Sequence, residues 1–166
     1  YPELEAAIKK MNLHVECAQA QRQYFNQQIA TAQLSKHLPH SEREYCVVAD
    51  YSQNLQVPHF GAEQPGETYY YCPLNVSAFG VVDCVTDHLT AYVYHEGEGK
   101  KGGNNVSSLL FKYCKDKGWL DEPQRGKKLT LVLLACSGQN KNRMVLRFMA
   151  LYLVEKKIFQ HVEVFS

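Results

Sequence analysis

Three carboxylates stand near predicted strand ends, where α/β proteins collect ligands. Asp50 closes an apolar strand in the segment YCVVADYS, and Glu96 and Glu98 follow a later strand in the segment HEGEGKKGG. Hard cations such as Mg²⁺ prefer carboxylate oxygens, and two such cations can activate water and stabilise the leaving oxygen in phosphoryl transfer. These acids are therefore candidates for a catalytic set, with Asp50 as the metal ligand. In the alternative, Asp50 hydrogen-bonds the loop after its strand, and the glutamates are solvated charges.

Two polar segments rich in cations and amides precede predicted helices. The candidate nucleic-acid-binding residues in these segments are Lys100, Lys101, Gln139, Asn140, Lys141 and Arg143. Backbone N–H groups at a helix N-terminus attract phosphate, and cationic and amide side chains contact nucleic-acid backbones without reading the base sequence. In the alternative, the polar side chains cap the helices and satisfy orphan backbone groups. The glycine-rich loop matches neither a Walker A motif nor a dinucleotide fingerprint.

The composition restricts these functions. A chain of 166 residues, of which 45% are hydrophobic, is long enough for one domain with a real core. A net charge of +1 gives no overall attraction to nucleic acid or membranes, so any basic surface must be local. No apolar run is long enough for a transmembrane helix. The six cysteines form no CxxC pair, and we expect reduced, buried thiols of an intracellular protein.

Hydrophobic periodicity predicts the elements that position these residues. Residues 3–35 contain no glycine or internal proline, and they predict one long helix, or two with a break, with a mostly polar surface. A strand, a loop rich in proline and glycine over residues 52–66, two further strands, a helix, a strand, a helix and a last strand follow. The first of these helices carries Val106, Leu110 and Tyr113 at helical spacing, and Gly118 is expected to end it. The continuous apolar run LTLVLLAC is typical of a strand buried on both faces. The order β-β-β-α-β-α-β predicts an α/β fold with a mixed sheet covered by helices. Tyr69–Tyr71 fall at the start of the second strand, where alternation places at least one ring in the core.

Four segments resemble a family of transposase-like proteins that look derived from mobile elements. In the same order and at similar spacing, these segments read ADYSQN, QPGETYYYCPLNVSAFGVVD, YHEGEGKKGGNNVSSLL and CSGQNKNRMVLRF. The resemblance covers about residues 40–166, and the block around GQNKN is its most specific part. It implies a ribonuclease H-like mixed sheet over residues 39–166, shortened at its C-terminal end. The helical pattern, and not the resemblance, sets residues 1–38 apart as an N-terminal helical segment. The resemblance also implies that Asp50 is the first catalytic acid and that Glu96 or Glu98 completes the carboxylate set around Mg²⁺.

The same block argues against activity. The family pattern reads Asp-Asn-Cys-x-Gly-Gln-Asn-Lys-Asn, and a match without gaps places Leu134 on the Asp and Ala135 on the Asn. Leucine supplies neither the oxygen ligand nor the negative charge that a metal-bridging acid provides. The family's Gly-His-Thr-Lys block and its later Asp are also absent from this sequence. The resemblance therefore predicts a catalytically degenerate domain.

Three functions stay open on the sequence. The first is a degenerate, transposase-derived domain that binds nucleic acid, DNA foremost, or a protein partner. The second is an active Mg²⁺-dependent nuclease or DNA strand-transfer domain, which requires a metal between Asp50 and another carboxylate. The third is a protein-interaction module whose N-terminal helix makes the contact. We favour the first, with a nuclear or cytoplasmic location and no membrane association. For the N-terminal helix we favour packing on its own domain, with a homodimer through this helix as the alternative.

Overall fold

The computed structural model describes residues 1–61, 63–120, 126–133 and 142–165. A long helix precedes an alternation of strands and helices. The helices are α1 (Pro2–Leu34), α2 (Gly103–Asp116) and α3 (Arg143–Arg147), which continues without a break as a π-helix (Phe148–Glu155). The strands are β1 (Glu44–Tyr51), β2 (Leu55–Val57), β3 (Leu74–Asp83), β4 (His88–His95), β5 (Gly126–Leu133) and β6 (Phe159–Phe165). The predicted α/β class and the long N-terminal helix are confirmed.

The strands described form one mixed sheet. Its order is β4, β3, β1, β5 and β6, with β3 antiparallel to β1, and with β5 parallel to both β1 and β6. Val76 of β3 pairs with Leu55 of β2 on one side and with His95 of β4 on the other, so β2 lies on the β1 side of β3. The sequence placed β2 in a loop, because its three residues are too few to show a period.

One face of the sheet is covered by α2 and the helix that begins with α3. Four apolar residues of α2 recur at helical spacing and are buried: Val106, Leu110, Tyr113 and Cys114. They belong to one core with every second residue of the central strand, namely Val47, Ala49 and Tyr51. The same alternation directs Asp50 and Val48 to the opposite face.

An aromatic cluster closes this core at the far end of α2. Gly118 adopts a φ of +70°, which ends the helix and turns the chain into the core, as the sequence predicts. The buried Trp119 ring then meets Tyr45 and Phe159, each at 5.1 Å, and Tyr113 at 5.7 Å, all edge to face. This cluster joins α2 to β1 and β6.

The other face is covered only in part. Near its C-terminal end, α1 packs Phe25, Ile29 and Ala32 against the buried thiols of Cys46 and Cys84. Beyond α1, apolar side chains of β2, β3 and β4 stay exposed on this face: Leu55, Val57, Leu74, Leu89 and Val93. The predicted covering by helices on both faces is therefore corrected, because the first two-thirds of α1 leave the sheet.

A polar cluster anchors α1 to the sheet beside these apolar contacts. The Tyr24 hydroxyl donates to Glu163 Oε1 at 2.9 Å, and Lys128 Nζ lies 2.5 Å from Glu163 Oε2 and 2.7 Å from Gln28 Oε1. The hydrogen bond from Lys128 holds the pKa of Glu163 below its usual value. Burial by itself lowers the pKa of Lys128, but Glu163 raises it overall.

Loss of this anchor is expected to destabilise the docked part of α1 in a pH-dependent way. We expect Glu163→Gln to lower the free energy of unfolding by about 1 kcal/mol at pH 7. Because the folded-state pKa of Glu163 is depressed, its contribution is present above its unfolded pKa of about 4.3 and is lost as the pH falls through the folded value. Thermal melts at pH 7 and in acid measure the effect. The exposed Glu42 provides the control Glu42→Gln, and an equal loss for both variants would contradict the anchor.

Two further expectations are corrected. Tyr69–Tyr71 lie in a 3₁₀ turn (Gly66–Tyr70) and at its end, and all three rings are exposed, because β3 begins only at Leu74. Of the cysteines that the structure describes, all are free thiols, but Cys17 and Cys72 are exposed.

Among the described residues, no helix is long and apolar enough to cross a bilayer.

Candidate phosphate-binding site

A cavity opens between the start of α2 and the start of α3, beside the carboxyl ends of β1 and β4. Its volume is about 730 Å³. The described lining residues are cationic, amide-bearing, small or, in one case, apolar: Lys100, Gly102, Gly103, Asn104, Asn105, Asn142, Arg143, Met144 and Arg147. No acidic side chain occurs among them, so the three cations set the sign of the potential at this opening.

The start of α2 contributes backbone donors to the cavity. Gly102 is the N-cap residue in an extended conformation (φ −105°, ψ 170°), and no side-chain hydrogen bond caps this helix in the described part of the chain. The first helical bond runs from Val106 N to Gly102 O at 3.0 Å. The preceding N–H groups therefore have no helical acceptor, and the helix dipole places partial positive charge at the cavity.

The start of α3 is locked against α2. Asn142 caps α3, and its Oδ1 accepts from Met144 N at 3.0 Å and from Val145 N at 3.1 Å. A β-carbon at Gly103 would collide with the Asn142 side chain, so this position requires glycine. Because the capping amides are already bonded, α3 contributes the side chains of Arg143 and Arg147 rather than its N–H groups.

A pair of tyrosines lies next to Asn105, one of the residues that line the cavity. The Tyr51 and Tyr94 hydroxyls are 2.9 Å apart, and Tyr94 also reaches Lys100 O at 3.4 Å. Burial, and then the hydrogen bond to Tyr94, raise the pKa of Tyr51, while Asn105 lowers it less. The Tyr51 phenol therefore stays neutral at physiological pH and adds no negative charge beside the cations.

The structure brings together part of the predicted cationic set. Lys100 and Arg143 line the cavity, whereas Lys101 donates from Nζ to Ser52 O at 2.9 Å and lies 5.0 Å from the Tyr51 ring centre. Lys101 thus ties the loop before α2 to the end of β1. The predicted residues Gln139, Asn140 and Lys141 lie outside the described residues.

Sequence reasoning missed Arg147, although a usable signal was present. Arg147 follows Arg143 by four residues, which places both side chains on the same face of a helix one turn apart. It also missed Asn104 and Asn105, which line the cavity from the first turn of α2. Whether these residues line a cavity depends on how α2 packs against α3, and helical periodicity gives no information about that packing.

The structure does not bring the three predicted acids together. Asp50 pairs with Gly80 of β3, whereas Glu96 accepts from Asn75 N at 3.2 Å and Asn75 Nδ2 at 3.0 Å, five residues away along the same strand. At about 3.3 Å per residue, this separates them by roughly 16 Å along β3. Glu98 follows β4, which lies two strand spacings, or about 10 Å, from β1. The expectation that either glutamate approaches Asp50 is corrected, because β4 runs past the level of Asp50 before it ends.

The glutamates instead hold the turn after β4. Hydrogen bonds from Asn75, the side-chain amide first, lower the pKa of Glu96. Glu98 Oε2 accepts from His95 N at 3.4 Å, and its Oε1 lies 3.8 Å from His95 Nε2. Both side chains therefore brace the loop that leads to Lys100.

The described side chains do not by themselves assemble a metal centre. In the part of the chain that the structure describes, no group of three or more His, Cys, Asp or Glu residues is placed to hold a metal ion. The described register between β1 and β5 ends at the pair Ala49 and Leu133. Leu134 and Ala135, which the sequence matched to the missing acid, lie outside the described residues. A Mg²⁺ ion at Asp50 stays a prediction.

Comparisons with models of known families, with curated proteins and with solved structures find no match. The chemistry of the site is then the guide to function. Three cations and the free N–H groups of α2 can bind and orient an anion that carries several oxygens, and phosphate is the commonest such group.

Proposed function

We propose that the chain is a transposase-derived, ribonuclease H-like domain that binds the phosphate backbone of nucleic acid between α2 and α3. The observation that carries the proposal is the convergence of Lys100, Arg143 and Arg147 on one open cavity without an acidic lining residue among those described. The net charge of +1 makes this local concentration of cations unusual for the chain. Such contacts position a protein on nucleic acid without reading its sequence.

The sheet supports the ribonuclease H-like part of the proposal. Four strands, β1 to β4, come first along the chain, and the segments with α2 and α3 then lead to β5 and β6. β3 pairs antiparallel with β1, β2 and β4, and β5 extends the sheet by parallel pairing with β1 and β6. The site lies beyond the carboxyl ends of β1 and β4, where α/β sheets bind their ligands. The transposase-like resemblance adds the origin of the domain.

The separation of the acids supports binding rather than cleavage. A two-metal reaction needs several carboxylates converging on the cations. Neither Glu96 nor Glu98 lies beside Asp50, and both already brace a loop. Together with the leucine at position 134, this favours a degenerate active site, in a domain that binds nucleic acid but does not cut it.

Salt-dependent binding tests the proposal most directly. We expect Arg143→Ala combined with Arg147→Ala to weaken binding of duplex DNA at low salt and to reduce the slope of log K against log salt by about 1.8, because each phosphate contact contributes about 0.9. Fluorescence anisotropy of labelled duplex and single-stranded DNA over a salt series gives both quantities.

A control variant distinguishes the effect of the cations in the cavity from the effect of the overall charge of the chain. Lys115 is exposed near the other end of α2, away from the cavity, and Lys115→Ala removes a charge without touching the site. It should leave the slope close to that of the unaltered chain. Equal slopes for the arginine variant and the unaltered chain, or no salt-dependent binding of any nucleic acid, would overturn the proposal.

A further inference from the structure

The first half of α1 carries an apolar stripe on an exposed arm. Leu4, Ile8, Met11 and Val15 are 59%, 46%, 58% and 45% exposed, and every residue from 1 to 24 is exposed. Their spacing of four, three and four residues is that of the a and d positions of a heptad repeat. A polar helix gains little from helix propensity in water and is stabilised mainly by burial of such a stripe.

The stripe continues into the part of α1 that is already packed. After Ala18, the same seam reaches Phe25, Ile29 and Ala32, which contact the sheet of the same chain. In a straight helix, a stripe with a heptad period rotates about the helix axis by about 20° per heptad. The stripe of the arm therefore points within roughly 60° of the side on which α1 packs on its own sheet. The exposed apolar stripe of the arm is thus the continuation of the stripe that is already packed on the sheet nearer the C-terminal end of α1.

We propose that the arm, residues 2–18, pairs antiparallel with the arm of a second copy of this chain. In an antiparallel pair with two-fold symmetry, residues at a positions pack against residues at d positions of the other helix. Leu4 of one copy then contacts Val15 of the other, and Ile8 contacts Met11, and the symmetry repeats each contact once. The flanking e and g positions carry one formal charge within the arm, at Glu5, so no like-charge repulsion opposes the pairing. This inference is independent of phosphate binding.

The packing of α1 on its own sheet determines the orientation. In a parallel, in-register pair, the second helix would continue past Phe25 and Ile29 about 8–10 Å from α1, in the volume that the sheet of the first copy occupies. In an antiparallel pair, the second helix runs away from that sheet, and each domain lies beyond the end of the paired section. Steric exclusion therefore leaves the antiparallel arrangement.

Oligomeric state tests the pairing. Sedimentation equilibrium of the full chain should give twice the chain mass, and Ile8→Glu should return the monomer mass without changing the melting of the domain. Leu13→Glu, on the opposite side of the arm and itself exposed, should remain dimeric. A monomer at every accessible concentration would overturn the proposal. So would a monomer caused by Leu89→Glu on the exposed sheet face, since the arm would then meet that face.

Disulfide trapping tests the direction. In a background with Cys17→Ser and Cys72→Ser, an oxidised mixture of the Leu4→Cys and Val15→Cys chains should give the mixed cross-link. Leu4→Cys alone should not cross-link to itself, because antiparallel pairing separates the two positions by about 16 Å. Self-linkage of Leu4→Cys at a yield above that of the mixed pair would overturn the antiparallel arrangement.

Discussion

Trp119→Ala should lower the free energy of unfolding by about 3–5 kcal/mol, the largest stability effect expected in the chain. Its ring is buried and meets Tyr45, Phe159 and Tyr113 edge to face, so the alanine leaves a cavity among three rings that belong to different elements. Those rings cannot all collapse into it without moving β1, β6 or α2. The loss comprises the burial of the indole, the edge-to-face contacts and the unfilled volume.

Denaturant melts followed by circular dichroism measure this loss. Tyr70→Ala provides the control, because that ring is exposed in the turn before β3 and its removal should change the free energy of unfolding by less than about 0.5 kcal/mol. A cost for Trp119→Ala that resembles the cost for Tyr70→Ala would mean that the cluster does not hold α2 to the sheet.

Gly103→Ala should cost about 1–2 kcal/mol and weaken phosphate binding at the same time. The new β-carbon would collide with Asn142, which is held in place because it caps α3 through Met144 N and Val145 N. Relief of the collision requires Asn142 to leave its capping position, and loss of such a cap costs about 0.5–2 kcal/mol. The start of α3, and with it Arg143, would shift relative to α2.

A glycine outside the cavity gives the control. A β-carbon at Gly66 meets nothing within 4 Å, so Gly66→Ala should leave stability and binding nearly unchanged. In an Asn142→Ala background the collision disappears, and Gly103→Ala should become neutral or slightly stabilising, because alanine favours helix over glycine. A thermodynamic cycle that shows additive costs would contradict the direct contact between Gly103 and Asn142.

The fold was predictable where one period governed a long segment. The absence of glycine over residues 3–35 indicated α1, and the spacing of Val106, Leu110 and Tyr113 indicated the buried side of α2. Gly118 was identified as the residue that ends α2, and its positive φ shows why. Local chemistry determines each of these features, so the sequence contains enough information.

The prediction was wrong where flanking prolines outweigh strand propensity, and it was incomplete where tertiary packing alone decides. Tyr69–Tyr71 have strand propensity, yet Pro65 and Pro73 bracket them and the chain forms a 3₁₀ turn instead. The fraction of α1 that packs on the sheet could not be predicted, because its apolar stripe is the same in the docked and free sections. Only the position of the sheet distinguishes them.

The sequence identified two of the cations of the candidate site, but it did not show which residues the fold brings together there. Lys100 and Arg143 were identified because each precedes or begins a helix, where phosphate binding is favoured. The separation of Asp50 from Glu96 depends on register, since β4 pairs with β3 as far as the level of Val76. Register is a long-range property that the spacing of three acids along the chain does not determine.

The length of the free arm has a consequence for avidity. In the proposed antiparallel pair, Tyr24 of one copy and Tyr24 of the other lie about 44 Å apart along the helices, at a rise of 1.5 Å per residue. Two phosphate sites would be held on one rigid spacer rather than on a flexible tether. A long polyanion that engages one copy then meets the other at a high effective concentration, whereas a fragment shorter than the spacer gains nothing from the second site.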